Sequence, residues 1–449
     1  MTTAATRRGI VIGGGIAGLV VARDLAVAGV PVLLLEARDR LGGQVRRHRV
    51  GGIDLDAGAE AFATRTSAVA GLAAELGLGA DIVAPQPGGA WLYSDDRGAL
   101  PLPATSLLGI PASPFDAAVT RIVGRRAALR AGLDAVLPKG VGATSHTLGE
   151  LVRHRMGAAT VERLVAPVTV GVHSAHPDVL LLDRVAPGLL AALAAEGSLA
   201  RAVRTLRGSA IAGSAVAGIR GGIARLVDEL QADLERRGVD IRLGARVDEV
   251  RTGGVVVGGQ LLSGVVVVAA PGLVAPAQSR RTVLATLIID SVELDSAPRG
   301  SGVLVARSSR VRAKALTHQT AKWSWLAQRA AGRHVVRLSY ESAPPDLREV
   351  ARADAAELLG IDIHAGQVLD FATVEWSRAV RQPPVPGVAQ VGEVVAGTGL
   401  ASVVAQARAQ AAVLLAGPLA PPRGRPSGRG ASTKPKSRSV VSGKENNTE

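Results

Sequence analysis

The chain contains no cysteine among its 449 residues. This absence excludes a disulfide framework, a thiolate metal site and a cysteine nucleophile. A chain without disulfides fits a reducing compartment, so we expect a cytoplasmic location. The sequence also lacks a run of the roughly eighteen uncharged apolar residues that a membrane-spanning helix needs, which argues against an integral membrane protein.

Aromatic residues make up only 2% of the chain, and basic residues outnumber acidic ones, giving a formal net charge of +14. Seven basic and two acidic residues fall in the Pro-, Gly- and Ser-rich segment 418–449, which we predict to be a disordered basic tail. A solvated tail is the simpler interpretation, and an arm for nucleic acid or anionic membrane is the alternative. Because no aromatic side chains interleave with these charges, we predict no nucleic-acid partner.

The sequence also lacks the sets of residues that are typical of hydrolases and of metal sites. We find no Ser-His-Asp set and no paired catalytic carboxylates. His173 and His176 are joined by no acidic ligand, so we predict no metal site. A chain of this length with 47% hydrophobic residues is expected to fold into two or three domains, each with its own core.

What the chain does have is a complete dinucleotide-binding pattern at its amino terminus. Arg8 to Ile12 is predicted to be a buried strand, and G-x-G-x-x-G follows at Gly13 to Gly18. A helix over Leu19 to Ala28 and a strand over Val32 to Leu35 come next, and Glu36 closes that strand. Strand, glycine turn, helix, strand and acid in this order are typical of a unit that binds ADP-containing cofactors.

Each residue type in this unit has a physical role. Gly13 permits the tight turn, Gly15 lets the backbone approach a pyrophosphate, and Gly18 lets the helix pack closely on the strand. The helix N-terminus offers free N–H groups to the phosphates. Glu36 can accept hydrogen bonds from a ribose diol, and an acid at that position disfavours the 2′-phosphate of NADP.

A second glycine pair, Gly42-Gly43, follows the ribose acid and favours FAD over NAD. FAD extends beyond its ADP half, so it needs a further close backbone approach. The chain then returns to this unit with a β-branched strand at 264–271, which is typical of a buried parallel sheet. A last glycine turn at 397–399 feeds a helix predicted over 401–415. The N-terminus of that helix would stabilise negative charge on a reduced flavin, although an ordinary glycine-started helix explains the pattern equally well.

An ordered set of motifs resembles the flavin-containing amine oxidase superfamily and, within it, the protoporphyrinogen and coproporphyrinogen oxidases. E-A-R-x-R-x-G-G begins at Glu36, and D-x-G-A-E-x-F spans 56–62. Further similar segments lie at 148–157, 167–172, 302–305, 322–323 and 375–383. The sequence departs from the family pattern at Gln44, where Arg or Lys is common, at Val168, and in the ending at 398–401.

The resemblance implies an α/β fold: an FAD-binding Rossmann-like domain of the glutathione-reductase type, a mixed-sheet substrate domain and a helical insertion. It implies a discontinuous FAD-binding domain of 1–61, 210–275 and 370–417, and a substrate-binding domain of 62–105 with 276–369. The helical domain is expected at 106–209. The residues expected to bind the cofactor FAD are Gly13, Gly14, Gly15, Ile16, Ala17, Gly18, Glu36, Ala37, Arg38, Gly42, Gly43, Gln44, Gly58, Ala59, Glu60, Val247, Trp376, Gly392, Leu400 and Ala401.

The resemblance further implies oxidation of a porphyrinogen by FAD and molecular oxygen, in which the flavin carries the chemistry and no catalytic side chain is identified. Val168, Gly171 and Val172 are expected to line an aliphatic slot for the macrocycle. Arg65 is a candidate partner for its carboxylates, although a solvated arginine and a packing role for Gly171 are open alternatives.

Coproporphyrinogen III, with four propionates, is preferred over protoporphyrinogen IX as the substrate. Hand-off of the product to a ferrochelatase and peripheral contact with a membrane are further expectations about partners. The alternatives are another flavin amine oxidase or desaturase on the same fold, and a tetrapyrrole-binding protein without catalysis. Few aromatics are present to form the pair that amine oxidases place against the flavin, and the intact glycine pattern argues against lost cofactor binding.

Overall fold

The computed structural model describes residues 8–173, 175–207, 216–307 and 309–420. The predicted boundary at 209–210 and most of the predicted tail, from 421 onward, lie outside these residues. The strands in chain order are Gly9–Ile12 (β1), Val32–Leu35 (β2), Arg47–Val50 (β3), Ile53–Asp56 (β4), Phe62–Ala63 (β5), Ile82–Val83 (β6), Trp91–Ser94 (β7), Gly98–Pro101 (β8), Ser106–Leu107 (β9), Ile110–Pro111 (β10), Val216–Ile219 (β11), Asp240–Arg242 (β12), Glu249–Arg251 (β13), Gly254–Val257 (β14), Gln260–Ser263 (β15), Val265–Val268 (β16), Ser279–Ile289 (β17), Gly302–Val305 (β18), Ala315–His318 (β19), His334–Tyr340 (β20), Val368–Ala379 (β21) and Ala389–Gln390 (β22).

The α-helices follow the same order along the chain, and a π-helical turn, Val161–Val165, joins the sixth to the seventh. They are Ile16–Val27 (α1), Ala68–Glu75 (α2), Ala117–Val123 (α3), Arg125–Gly132 (α4), Leu148–Met156 (α5), Ala158–Thr160 (α6), Ala166–His173 (α7), Leu182–Val185 (α8), Leu189–Glu196 (α9), Leu199–Arg207 (α10), Arg225–Arg236 (α11), Gln319–Lys322 (α12), Ser324–Ala330 (α13), Leu347–Leu359 (α14), Glu393–Ala396 (α15) and Leu400–Ala416 (α16).

A five-stranded parallel sheet in the order β12-β2-β1-β16-β22 forms the first unit. Its central strands are continuous apolar runs because helices cover one face and the β13-β14-β15 sheet covers the other. Helix α1 packs between α11 and α16 on the helical face. The predicted parallel sheet is therefore confirmed. Its strand predicted at 264–271 is shorter, Val265–Val268, and only Val267 and Val268 in it are buried. The strand order reverses between β1 and β16, where doubly wound sheets bind ligands.

A seven-stranded mixed sheet in the order β21-β17-β20-β19-β18-β7-β8 forms the second unit. Only the β18–β7 pair is parallel, and helix α14 covers one face over an apolar core. The third unit is helical and runs from α3 to α10. A separate core lies among α4 to α10, whereas α3 packs against Leu92 of the second sheet. Within the described ranges, no helix combines the length and the apolar character that a membrane span needs.

The predicted domain division differs from the packing at one boundary. Helix α2 and the strand β5 before it were assigned to the substrate-binding domain, yet Phe62, Val69 and Leu72 are buried in the same core as α1 and α16. The Ala-rich sequence of α2 favours a helix but cannot specify which sheet that helix covers. Residues 62–83 therefore pack with the parallel-sheet unit; the rest of the division remains a proposal.

Helix α1 begins three residues before its predicted start. Ile16 is its first residue and Gly15 its N-cap, whereas the sequence predicts a start at Leu19. Gly18 disfavours a helix by intrinsic propensity, but the close packing described below requires a glycine there. After residue 216, β11 precedes a turn through Gly221 and Gly222, and α11 starts at Arg225.

Candidate functional site

The glycine turn lies at the carboxyl end of β1, beside the point where the strand order reverses. Gly13 has a φ of 105°, a region that favours glycine. A Cβ on Gly18 would lie 1.9 Å from the carbonyl oxygen of Gly13, so only glycine permits this approach of helix to turn. The predicted packing role of Gly18 is thus visible in the geometry.

Gly15 has the opposite surroundings. A Cβ placed on it would meet no atom of the described residues within 4 Å. No side chain in the described chain caps the first turn of α1, and that turn carries no acidic residue. Its N–H groups therefore face a space beside Gly15 that a phosphate can enter, as expected for a helix N-terminus that binds anions.

The second glycine pair packs directly on the first turn. The N–H of Gly42 donates to the carbonyl oxygen of Gly14 at 2.7 Å. A Cβ on Gly42 would lie 2.3 Å from the carbonyl oxygen of Val45, and one on Gly43 would lie 3.3 Å from the Cα of Gly15. The two glycine segments thus form one continuous backbone surface.

Glu36 is almost fully buried and braces this surface. Its Oε2 accepts a hydrogen bond from the N–H of Gly14 at 2.7 Å, and its Oε1 accepts one from the N–H of Arg38 at 2.9 Å. Each carboxylate oxygen has a further lone pair, so both can still accept from a ribose diol. Ala37 and Arg38, also predicted cofactor contacts, are exposed beside it.

The returning segment reaches the same place from β22. Gly392 has a φ of 101°, and a Cβ on it would lie 3.5 Å from the Cβ of Ala17 in the first turn of α1. Helix α16 begins at Leu400, one residue before its predicted start, and Ala401 is buried in its first turn. Helix α16 packs along α1, and a role of its first turn in binding FAD stays a prediction.

Gln44 links the second glycine pair to the returning segment. Its Nε2 donates to Oε2 of Glu393 at 3.2 Å, and the guanidinium of Arg378 donates to Oε1 of Glu393 at 2.9 and 3.1 Å. The neutral side chain of Gln44 is accommodated here, because Arg378 supplies the positive charge that Glu393 needs.

The turn that contains Gly58 and Ala59 lies against this network. A Cβ on Gly58 would lie 2.5 Å from the carbonyl oxygen of Gln44. The indole N–H of Trp376 donates to the carbonyl oxygen of Ala57 at 3.0 Å, and the guanidinium of Arg46 lies 5.0 Å from the Trp376 ring centroid. The predicted residues of the turn and of β21 are thus brought together.

Comparison with known proteins agrees with this geometry. The family model of the flavin containing amine oxidoreductases matches residues 16–415. The chain belongs to this family. It is 34% identical over 386 residues to a coproporphyrinogen III oxidase of Mycobacterium leprae, covering 81% of this chain and 82% of that protein. A coproporphyrinogen III oxidase of Staphylococcus aureus is 26% identical over 76% of this chain and 79% of its own length.

The solved structures agree on the fold. A putative protoporphyrinogen oxidase from Exiguobacterium has a TM-score of 0.80 at 21% identity, covering 92% of this chain and 99% of that one. The expectations of an FAD-binding α/β fold and of an FAD-dependent oxidoreductase are therefore confirmed. The uncapped helix N-terminus, the open side of Gly15 and the carboxylate of Glu36 fit an adenine dinucleotide, so the residues present suit FAD.

Glu60, a predicted cofactor contact, is the centre of a buried ion network. It lies 2.7 Å from the Nζ of Lys322 and 3.0 Å from the Nη2 of Arg337, and it also accepts from Gln319. Burial alone would raise the pKa of Glu60, but Lys322 and Arg337 outweigh that effect and lower the pKa to about 2. The carboxylate is therefore ionised, and both of its oxygens already contact protein donors. A direct role of Glu60 in binding FAD stays a prediction.

Arg337 also holds the turn before Glu60 through hydrogen bonds to its backbone. Its Nη1 donates to the carbonyl oxygens of Asp56 and Gly58 at 3.1 and 3.0 Å. The carboxylate of Asp56 accepts from the N–H groups of Ile223 and Ala224 at the start of α11, and burial raises its pKa to about 6 despite these bonds. The turn at 56–60 is thus held from both units.

Val247 lies away from the glycine turn, in the apolar core between the parallel sheet and the β13-β14-β15 sheet. The segment that carries it passes the end of β2, because the N–H of Ala245 donates to the carbonyl oxygen of Glu36 at 2.9 Å. Its side chain is therefore explained by packing, and only its backbone is placed near the ribose acid.

The predicted substrate residues fall on two elements. Val168, Gly171 and Val172 belong to α7, and Val168 is half-buried. A Cβ on Gly171 would lie 2.4 Å from the Cδ2 of Leu304, so packing against β18 suffices to explain this glycine. Arg65 is exposed and donates to the carbonyl oxygen of Val185 at 3.2 Å, which ties it to the helical unit and supplies no support for a carboxylate-binding role.

Helix α7 packs on a wall formed by the second sheet. The strand register places one residue from each strand in a row on the face opposite α14. We call this row the wall: Val374, Leu284, Ser339, Ala315, Leu304, Leu92 and Leu100. The Leu92 end is covered by the helical unit, whereas Leu284, Ala315 and Ser339 are partly exposed. The wall is thus an aliphatic surface with an open middle.

Sequence reasoning did not identify Arg337, Lys322, Arg378 and Glu393 as parts of the site. Glu393 follows the predicted Gly392, and Lys322 lies in a segment already noted for its resemblance. The sequence says less about Arg337. It alternates with Val336 and Leu338 on β20, so its side chain lies on the face of the sheet opposite to theirs. Nothing local indicates that this face meets the FAD unit.

We predict that Glu36→Ala weakens FAD binding by about ten- to a hundredfold, because the ribose and the N–H of Gly14 lose a charged acceptor. Flavin content after purification and titration of the apoprotein with FAD would measure the loss. Asp39→Ala is a matched control, since Asp39 is an exposed acid three residues further along. Equal flavin affinity in the Glu36→Ala variant and the wild type would remove the assigned role of Glu36.

Proposed function

We propose that this protein oxidises coproporphyrinogen III to coproporphyrin III in haem biosynthesis, with FAD as the electron acceptor and molecular oxygen as the final oxidant. The similarity to coproporphyrinogen III oxidases over most of the chain carries this proposal. When bound, the flavin accepts two electrons in each of three successive steps, and oxygen is reduced to hydrogen peroxide.

The chain's own residues supply orientation and a dry, shaped surface. The wall presents small and aliphatic side chains, which suit the face of a wide apolar macrocycle. One end of it meets α7. Trp376 and Arg337 lie in the rows on either side of the wall, and both donate to carbonyl oxygens of the turn at 56–60. A ligand against the middle of the wall would therefore lie between the helical unit and the cofactor unit, where water is excluded from the reacting face.

The Gln44–Glu393–Arg378 network holds the two segments of the cofactor site in a fixed relation. The Glu60–Lys322–Arg337 network does the same for the flavin-binding turn and the second sheet. We infer that both networks position the cofactor against the wall, and that the site residues named from the sequence bind FAD. A cytoplasmic location, hand-off of the product to a ferrochelatase and a peripheral membrane contact are part of the proposal.

The test is anaerobic reduction of the bound flavin, measured as the loss of flavin absorbance. Coproporphyrinogen III, protoporphyrinogen IX and putrescine are added in separate experiments. We expect coproporphyrinogen III to reduce the flavin at least about tenfold more efficiently than protoporphyrinogen IX, since two further carboxylates add binding energy. Faster reduction by protoporphyrinogen IX would make it the substrate in place of coproporphyrinogen III. Reduction by putrescine alone would show that the protein is an amine oxidase.

A further inference from the structure

The open middle of the wall lies between two elements of the proposed site. At one end, Val374 packs with Ala57 of the turn at 56–60 in a small apolar cluster. At the other end, Leu304 lies against Gly171 of α7, where a Cβ on the glycine would be 2.4 Å from the Cδ2 of the leucine. A ligand that covers the open middle would therefore have the cofactor unit on one side and the helical unit on the other.

Ser339 is the central residue of this open part. The strand register places Leu284 of β17 on one side of it and Ala315 of β19 on the other, and all three are partly exposed. Because neighbouring strands lie about 4.8 Å apart, the three residues span about 10 Å. The other six members of the wall are alanine, valine or leucine. The wall therefore has a single hydroxyl group, at the centre of its open part.

The hydroxyl group of Ser339 makes no hydrogen bond with the residues that the structure describes. Ser198, by contrast, donates to the carboxylate of Asp134 at 2.7 Å within the helical unit. The oxygen of Ser339 is accessible, because its side chain is partly exposed on the open side of the wall. It can therefore both accept and donate a hydrogen bond to a ligand that lies there.

Two further hydroxyl groups lie diagonally on opposite sides of Ser339. Thr282 precedes Leu284 by two residues on β17, and Thr317 follows Ala315 by two residues on β19. Because side chains on a strand alternate between faces, both threonines share the face of the wall, and both are partly exposed. Diagonal neighbours on a sheet are about 7–8 Å apart. A flat ligand centred on Ser339 would thus meet these hydroxyl groups nearer its edge.

A porphyrinogen has the matching distribution of polarity. Its four pyrrole N–H groups lie around the centre of the macrocycle, and the carbon framework around them is apolar. An N–H group that is pressed against an aliphatic surface without an acceptor costs free energy, which a hydroxyl oxygen at that place removes. The oxidised ring keeps two N–H groups and gains two bare nitrogens, to which the same hydroxyl group can donate.

We propose that the hydroxyl group of Ser339 accepts a hydrogen bond from a pyrrole N–H group of the substrate and thereby fixes the position of the macrocycle between α7 and the turn at 56–60. The inference rests on the proposed function, because it takes the wall as the place where the macrocycle lies. Ser339 orients the ring and takes no proton from it. The same contact selects a metal-free ring over a metal complex, which has no central N–H group.

The test compares coproporphyrin III with its Ni(II) complex, in which the metal replaces the central N–H groups. The Kd of each for the flavin-loaded protein is measured by quenching of tryptophan fluorescence. In Ser339→Ala we expect the Kd of the free porphyrin to rise about five- to tenfold, and that of the nickel complex to change by less than about twofold. Ser339→Thr keeps the hydroxyl group and should keep the wild-type preference for the free porphyrin. Flavin content should be unchanged in both variants.

Ser377→Ala is the matched control. Ser377 is an exposed serine of the same sheet, and it follows Trp376 on β21, so it lies on the face opposite to the wall. We expect neither Kd to change in this variant.

Two results would overturn the inference: wild-type Kd values for both ligands in Ser339→Ala, or an equal rise in both, which would assign the side chain a role in shape alone. The proposed function would still stand if coproporphyrinogen III reduces the flavin of these proteins. Wild-type protein that binds no porphyrin and whose flavin no porphyrinogen reduces would overturn both.

Discussion

Replacing Gly18 with alanine is expected to destabilise the amino-terminal unit and abolish FAD binding together. The new Cβ would lie 1.9 Å from the carbonyl oxygen of Gly13, and neither backbone can move without opening the packing of α1 on β1. Overpacking of this kind costs about 3 kcal/mol or more. Urea unfolding of the apoprotein should show the loss of stability, and the purified variant should be colourless.

Gly15→Ala separates cofactor binding from folding at a position three residues away. Its Cβ would meet no described atom within 4 Å, and its φ of -75° suits alanine. We expect the apoprotein to retain its stability within about 1 kcal/mol, the usual effect of an altered N-cap. FAD affinity should nevertheless fall by about a hundredfold, because the methyl group occupies the side on which a pyrophosphate approaches. Normal flavin retention in Gly15→Ala would show that the diphosphate binds elsewhere.

These two glycines also explain why the cofactor site was predictable. Gly13, Gly15 and Gly18 are close in sequence, so their spacing alone encodes a turn, an open side and a close helix–strand approach. Gly42-Gly43 extends the same backbone surface only six residues after Glu36. Local spacing therefore identified the fold class and the FAD unit, although it placed the start of α1 three residues late.

The networks that join the units were less predictable because their contacts are distant in sequence. Lys322 meets Glu60 across 262 residues, and Gln44 meets Glu393 across 349. Such pairs depend on strand order and register, which composition and periodicity do not specify. Arg65 is the carboxylate partner that the sequence offers as a candidate, yet its guanidinium donates to a carbonyl oxygen of the helical unit.

Glu60→Ala is expected to cost about 3 to 5 kcal/mol of stability, because it leaves two cations buried without their carboxylate. The side chains of Lys322 and Arg337 are 18% and 10% exposed, so solvent replaces little of the lost interaction. Glu375→Ala is the matched control: Glu375 also pairs with an arginine, Arg281, but both are exposed, and the loss should not exceed about 1 kcal/mol.

The pH dependence of stability distinguishes this ionic role of Glu60 from simple packing. The folded pKa of Glu60 is about 2, below its ordinary 4.5, so the folded state binds the proton less readily than the unfolded state. Its ionic contribution, about 3 kcal/mol, should be complete above pH 4.5 and decline as the pH falls toward 2. Urea unfolding of wild type and Glu60→Gln should therefore differ by a constant amount from pH 7 to 5 and converge below pH 4. A difference that stays constant down to pH 3 would mean that Glu60 stabilises the turn by shape and hydrogen bonding, with its charge contributing nothing.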